Sequence, residues 1–131
     1  MNNRIEIPET RRLVLRVNDR KDCSRTLWEW LFSRGAVLLI ARSTQHALEL
    51  LGRARLDAVI TDLRRMESDG INPVAGIELI QKLRHKGNEV PVIVYTKEIT
   101  DDHRKAALAM GANAITTKRE ELLAWLKGLG I

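Results

Sequence analysis

A single cysteine, Cys23, stands in the whole chain, so no internal disulfide can form. That usage fits a reducing, cytoplasmic setting. No apolar run approaches the ~20 residues that a membrane-spanning helix needs. The opening Met-Asn-Asn-Arg-Ile-Glu is too polar for the apolar stretch of an export signal, so no membrane partner is expected. Glycine-rich phosphate loops are missing too. Gly70 and Gly76 belong to neither a P-loop nor a G-x-G-x-x-G pattern, which excludes those nucleotide-binding classes. Aromatic residues are only 4% of the chain and do not interleave with the basic ones. The net charge of +5 is spread among acids, so it reads as a solvated basic surface and direct nucleic-acid binding is disfavoured. His46, His85 and His103 fall on three separate helical patterns, which argues against a histidine metal cluster.

What is present is an ordinary globular composition, 44% hydrophobic and 30% charged over 131 residues. It fits one domain, 1–131, with a short polar lead-in at 1–10. Short apolar runs alternate with helical patterns. Strands are predicted at 13–17, 36–41, 56–62, 92–95 and 114–117, and helices at 23–34, from Ser43 or Thr44 to Gly52, from Gly76 through Leu83, at 100–110 and at 119–129. In the first helix Leu27, Trp28, Leu31 and Phe32 form the expected buried face, with Trp30 off it. Residues 63–74 carry Asp-Gly and Asn-Pro turn signals and read as a long loop. Strict alternation with right-handed crossovers predicts an α/β fold, a doubly wound five-stranded parallel sheet of order 2-1-3-4-5.

In such a sheet ligands bind outside the C-terminal strand ends. Those ends carry Asn18 and Asp19, then Asp62, then Thr96, then Lys118. On its own, Asp62 reads as a solvated loop acid after a core strand; the rest of the chain weighs against that. Together, the two carboxylates suit a hard divalent ion such as Mg²⁺, and a carboxylate can attack phosphorus to form an acyl phosphate. That chemistry wants cations and donors around the phosphoryl oxygens, as a metal, a lysine and a hydroxyl supply.

These residues, in this order on five βα units, resemble the receiver domain of two-component response regulators, a flavodoxin/CheY-like three-layer sandwich. Gly76-Ile77-Glu78-Leu79 and Gly111-Ala112 match as well, and the resemblance runs from about residue 12 to 129. It implies Asp62 as phosphoacceptor. It implies Mg²⁺ held by Asp19, Asp62 and the backbone carbonyl of Arg64, with Asn18 reaching the ion weakly through water. Thr96 and Lys118 would contact the phosphoryl group, and Lys97 and Ile115 would set access and switching. The implied protein is a signalling switch, not an enzyme with a separate substrate. Its partners would be a sensor histidine kinase or phosphotransfer protein and a downstream protein or fused output domain, with homodimer formation a further mode.

The chain departs from the pattern in four places. Asn18 replaces an acid, Arg119 replaces the proline after the lysine, Ile115 replaces an aromatic residue, and Lys97 replaces a small one. These departures feed an alternative reading, a receiver-like interaction module that works without phosphorylation. The 64–74 loop, longer than in compact members, reads equally as a gate over the pocket and as a tolerated insertion.

Overall fold

A computed structural model describes residues 11–20 and 24–131. The lead-in and the helix start assigned to Cys23 lie outside these residues. The elements run β1 (Arg12–Val17), α1 (Arg25–Ser33), β2 (Ala36–Ala41), α2 (Thr44–Arg53), β3 (Ala58–Thr61), β4 (Arg65–Glu67), β5 (Gly70–Asn72), α3 (Ala75–His85), β6 (Val92–Tyr95), α4 (Asp101–Met110), β7 (Ala114–Thr116) and α5 (Arg119–Gly128). Five strands form a parallel sheet in the order β2-β1-β3-β6-β7. With the short β4–β5 pair set aside, this is the predicted 2-1-3-4-5 arrangement.

Alternation along the strands builds two cores. Leu15 and Val17 of β1 pack with Val59, Val92 and Val94 beneath α2, α3 and α4. Val14 packs with Ala58, Ile60 and Ile93 beneath α1 and α5. Each fully buried aliphatic side chain contributes about 1.5–3 kcal/mol relative to exposure. The central strand β3 is buried at all four positions, which explains its unbroken apolar run.

Three expectations change. In α1 only Leu27 and Leu31 are buried; Trp28 and Phe32 are 43% and 56% exposed and stack on each other at 5.0 Å. They lie about 100° around the helix from the buried pair, past the edge of the core. Trp30, set apart in the sequence reading, packs against the core beneath the Arg34 guanidinium, 4.9 Å from its ring. Second, Gly52 lies inside α2 and does not end it. Third, residues 63–74 are not simply a loop. Arg65–Glu67 pairs antiparallel with Gly70–Asn72, and the turn's positive φ falls on Gly70 at 117°.

Candidate functional site

The chain places Asp62 at the mouth of the sheet by backbone bonding. Its N–H donates to the Val17 carbonyl (3.2 Å), and its own carbonyl accepts from the Thr61 hydroxyl (2.9 Å). The start of α3 comes hard against this segment: the Gly76 N–H donates to the Leu63 carbonyl (2.9 Å). A Cβ at Gly76 would collide with the Asp62 carbonyl oxygen and lie 3.3 Å from the Leu63 Cα. Glycine is therefore required there for close approach, not for an unusual φ.

Around Asp62 opens a cleft of about 1080 Å³. Of the residues singled out in the sequence, Asn18, Asp19, Asp62, Arg64, Thr96 and Lys97 line it. Thr96 is half-buried, its hydroxyl donating to the Glu98 carbonyl (3.2 Å). Two expected residues are not brought in. Ile115 packs against the core beneath α4. Lys118 is exposed and is not part of the cleft lining. It sits at the cap of α5, where its N–H donates to the Thr116 hydroxyl (3.0 Å) and Thr116 in turn bonds Glu121. That cap fixes the backbone while the side chain faces solvent.

The cations beside Asp62 come instead from two arginines that sequence reasoning passed over. Arg65, on β4, has a fully buried side chain. Its Nη1 bonds Asp62 Oδ1 and Thr61 Oγ1 (3.2 Å for the latter), its Nε bonds Glu67 Oε1 (3.1 Å), and its Nη2 bonds Thr44 Oγ1 (2.8 Å). Ser43 takes over capping of α2 by accepting from the His46 N–H (3.0 Å), so Thr44 is available to this network. The Thr44 hydroxyl donates its own hydrogen bond to Glu67 (2.6 Å), and its N–H donates there too (3.1 Å). Arg16, buried in β1, lies 5.8 Å from the Tyr95 ring and adds positive potential at Asp62.

Burial pushes the Asp62 carboxyl up to about 6; Arg65 opposes this and neighbouring Asp19 adds to it. Burial would also raise Glu67, but its bonds to Thr44 and Arg65 prevail and hold it below the usual carboxylate range.

Mg²⁺ demands near-octahedral oxygen coordination and binds through carboxylates with several waters. The pocket as arranged does not fit it well. Asp62 Oδ1 is held by Arg65, Asp19 Oδ2 accepts from the Met66 N–H (2.8 Å), and Asn18 Oδ1 accepts from the Arg20 N–H (2.8 Å). Among the described residues no group of three His, Cys, Asp or Glu is placed to hold a metal. Asp62 lies in the field of the two buried guanidinium groups of Arg16 and Arg65.

The fold is a doubly wound α/β sheet, with Asp19 after β1 and Asp62 after β3 at the strand-end mouth where such sheets bind ligands. The sequence profile of the response regulator receiver domain matches residues 14–127, and the chain belongs to that family. A response regulator receiver protein of Anaeromyxobacter sp. (strain Fw109-5) is 33% identical over 107 residues, covering 82% of this chain and 42% of that protein. Response regulator MprA of Mycobacterium leprae is 30% identical over 119 residues, 88% of this chain and 50% of its own length. The chain thus spans about half the length of these curated relatives. Among solved structures, chemotaxis response regulator CheY4 of Vibrio cholerae superposes with a TM-score of 0.75 at 23% identity, covering 92% of this chain and 99% of that one. Response regulator TrrA of Thermotoga maritima, solved with Mg²⁺ and BeF, gives 0.71 at 21% identity, over 90% and 98% of the two chains. Among the described residues no helix is long and apolar enough to cross a membrane.

Proposed function

We propose that this receiver accepts a phosphoryl group on Asp62 and that the aspartyl phosphate switches its binding to a partner. The donor is a phosphohistidine on a sensor histidine kinase or phosphotransfer protein, or a small acyl phosphate. The observation that carries the reading is the placement of Asp62: a carboxylate at the mouth of the central strand, beside Asp19 and within the field of Arg16 and Arg65.

In the transfer, an Asp62 carboxylate oxygen attacks phosphorus. The P–N bond of phosphohistidine breaks, its electron pair stays on the imidazole, and that nitrogen takes a proton; with an acyl phosphate the P–O bond breaks and a carboxylate leaves. The product is a mixed anhydride on the chain's own side chain, which makes the protein a switch. Arg65 Nη1 already holds Oδ1, so the other oxygen is the nucleophile and the guanidinium offsets the charge that develops. Thr96 would redirect its hydroxyl from the Glu98 carbonyl to the phosphoryl group. Lys118 would have to swing in from its exposed position to take part. The added charge and acceptor oxygens bias the surrounding loops, and the altered surface engages a downstream protein, an output domain or a second copy. Such a relay belongs in the cytoplasm.

Incubation with acetyl phosphate, with and without Mg²⁺, followed by intact mass tests the reading. A phosphoryl adduct is expected on the wild type and not on Asp62→Asn. A second reading, an interaction module indifferent to phosphate, is favoured by one observation: Arg65 already neutralises Asp62. No adduct under either condition, and no response to beryllofluoride, would establish that reading instead.

A further inference from the structure

The β4–β5 hairpin inserts a side chain where a receptor for a metal ion would need open oxygen atoms. We propose that Arg65 is a tethered counter-cation of the Asp19–Asp62 pocket: it supplies the positive charge at Asp62, and a divalent ion binds only in competition with the hairpin. The inference rests on the receiver reading only for what the pocket is for; the competition itself stands on geometry.

Three observations support it. First, Arg65 is no passing surface contact. Its side chain is fully buried, and four oxygens, on Asp62, Thr61, Glu67 and Thr44, hold the guanidinium in one orientation. A planar fork with fixed charge is suited to this and a lysine would not be. Second, the same hairpin blocks the other carboxylate: the Met66 N–H, the next residue along, donates to Asp19 Oδ2 at 2.8 Å. One strand edge thereby engages both acids of the pocket. Third, the network closes on an element outside the hairpin, through Glu67 and Thr44 at the start of α2. An ion drawing Asp19 and Asp62 together as ligands would have to displace Met66 and Arg65, and the displacement would pull on Glu67 and Thr44.

The probe is Mn²⁺, followed by electron paramagnetic resonance of the free ion. Wild type is expected to bind weakly. Arg65→Met is expected to bind at least about tenfold more tightly, the effect of removing one unit charge roughly 6 Å from a divalent ion even with the screening of bulk water. Arg65→Lys, which keeps the charge and loses the fork, should fall between the two. Equal affinities for wild type and Arg65→Met overturn the proposal. If the Met variant does not fold, amide resonances of the wild type decide the matter during a Mg²⁺ titration. Competition requires residues 65–72 to shift together with Asp19 and Asp62, whereas shifts of the two acids with an unmoved hairpin overturn it. The acetyl phosphate experiment separates this proposal from the function above. An adduct that forms equally with EDTA supports tethered charge, and one that appears only with the metal opposes it. No adduct at all overturns phosphoryl acceptance, while the Mn²⁺ comparison still judges Arg65.

Discussion

Replacing Arg65 by methionine should destabilise the fold strongly at pH 8 and much less at pH 5. The guanidinium is fully buried and faces two carboxylates that are only 13% and 14% exposed. Removing one partner of a buried pair leaves its charge uncompensated, at a cost of about 3–5 kcal/mol. A domain of this size has roughly 5–15 kcal/mol of stability, so the variant should still fold. The pH dependence comes from Asp62. Its carboxyl titrates at about 6 with Arg65 in place, and losing the cation raises it further. At pH 8 the variant must keep an unpaired buried charge or take up a proton, and each added pKa unit costs about 1.4 kcal/mol there. At pH 5 Asp62 is protonated with or without Arg65, so that difference vanishes. What remains is the loss of a charged partner at Glu67 and of one bond at Thr44, about 1–3 kcal/mol. Urea unfolding at the two pH values measures both figures. Adding Asp62→Asn to the variant should recover much of the loss at pH 8, because the orphaned charge is gone. A penalty that is equal at both pH values, or below about 1 kcal/mol at pH 8, would refute the claim that Arg65 is the counter-ion of Asp62.

Asp62→Asn alone should stabilise the protein at neutral pH, because Arg65 keeps Glu67 as its carboxylate partner. The native carboxyl binds its proton more tightly than the unfolded one (about 6 against 3.8), so stability is greatest at low pH and falls as pH rises through that window. The full difference approaches about 3 kcal/mol, and melting curves at pH 4 and pH 7 should show it for wild type and not for the Asn variant. Gly76→Ala should cost about 1–3 kcal/mol by driving a methyl into the Asp62 carbonyl, and the Asp62 amide resonance should move; an unmoved amide with unchanged stability would contradict the packing. Phe32→Ser should cost less than about 1 kcal/mol because that ring is exposed, whereas Leu31→Ala, one position earlier, should cost about 2–5 kcal/mol. Similar losses at both positions would return Phe32 to the core.

The sheet order and the place of Asp62 were legible because long-range rules govern them. An apolar run buried on both faces reads as a central parallel strand, and its terminal acid must emerge at the mouth. Local rules failed where elements were too short for their period to show. Each hairpin strand has three residues, fewer than alternation needs to declare itself, and the Asp69-Gly70 and Asn72-Pro73 signals dominate. In α1 the four-residue spacing of Trp28 and Phe32 copies that of Leu27 and Leu31, one position on, so spacing alone could not say which pair meets the sheet.

The larger lesson concerns charge. Reading strand ends against a family pattern directed attention to Lys118, whose side chain the α5 cap leaves in solvent. The cations that reach Asp62 were marked by a different sign. Arg16 interrupts an apolar strand between Leu15 and Val17, where only a partner can offset its burial. Arg65 lies three residues after the acid and two before Glu67, a spacing that puts Arg65 and Glu67 on one face of an extended segment. With Asn18 in place of an acid, and with Arg65 held against Asp62 where the family pattern has a lysine, the pocket has one carboxylate fewer and a fixed cation on its remaining acceptor, and both changes disfavour a divalent ion. A strand-end residue states where chemistry can occur. A charge that must be buried states what has already been neutralised, and here that determines which cation Asp62 meets first.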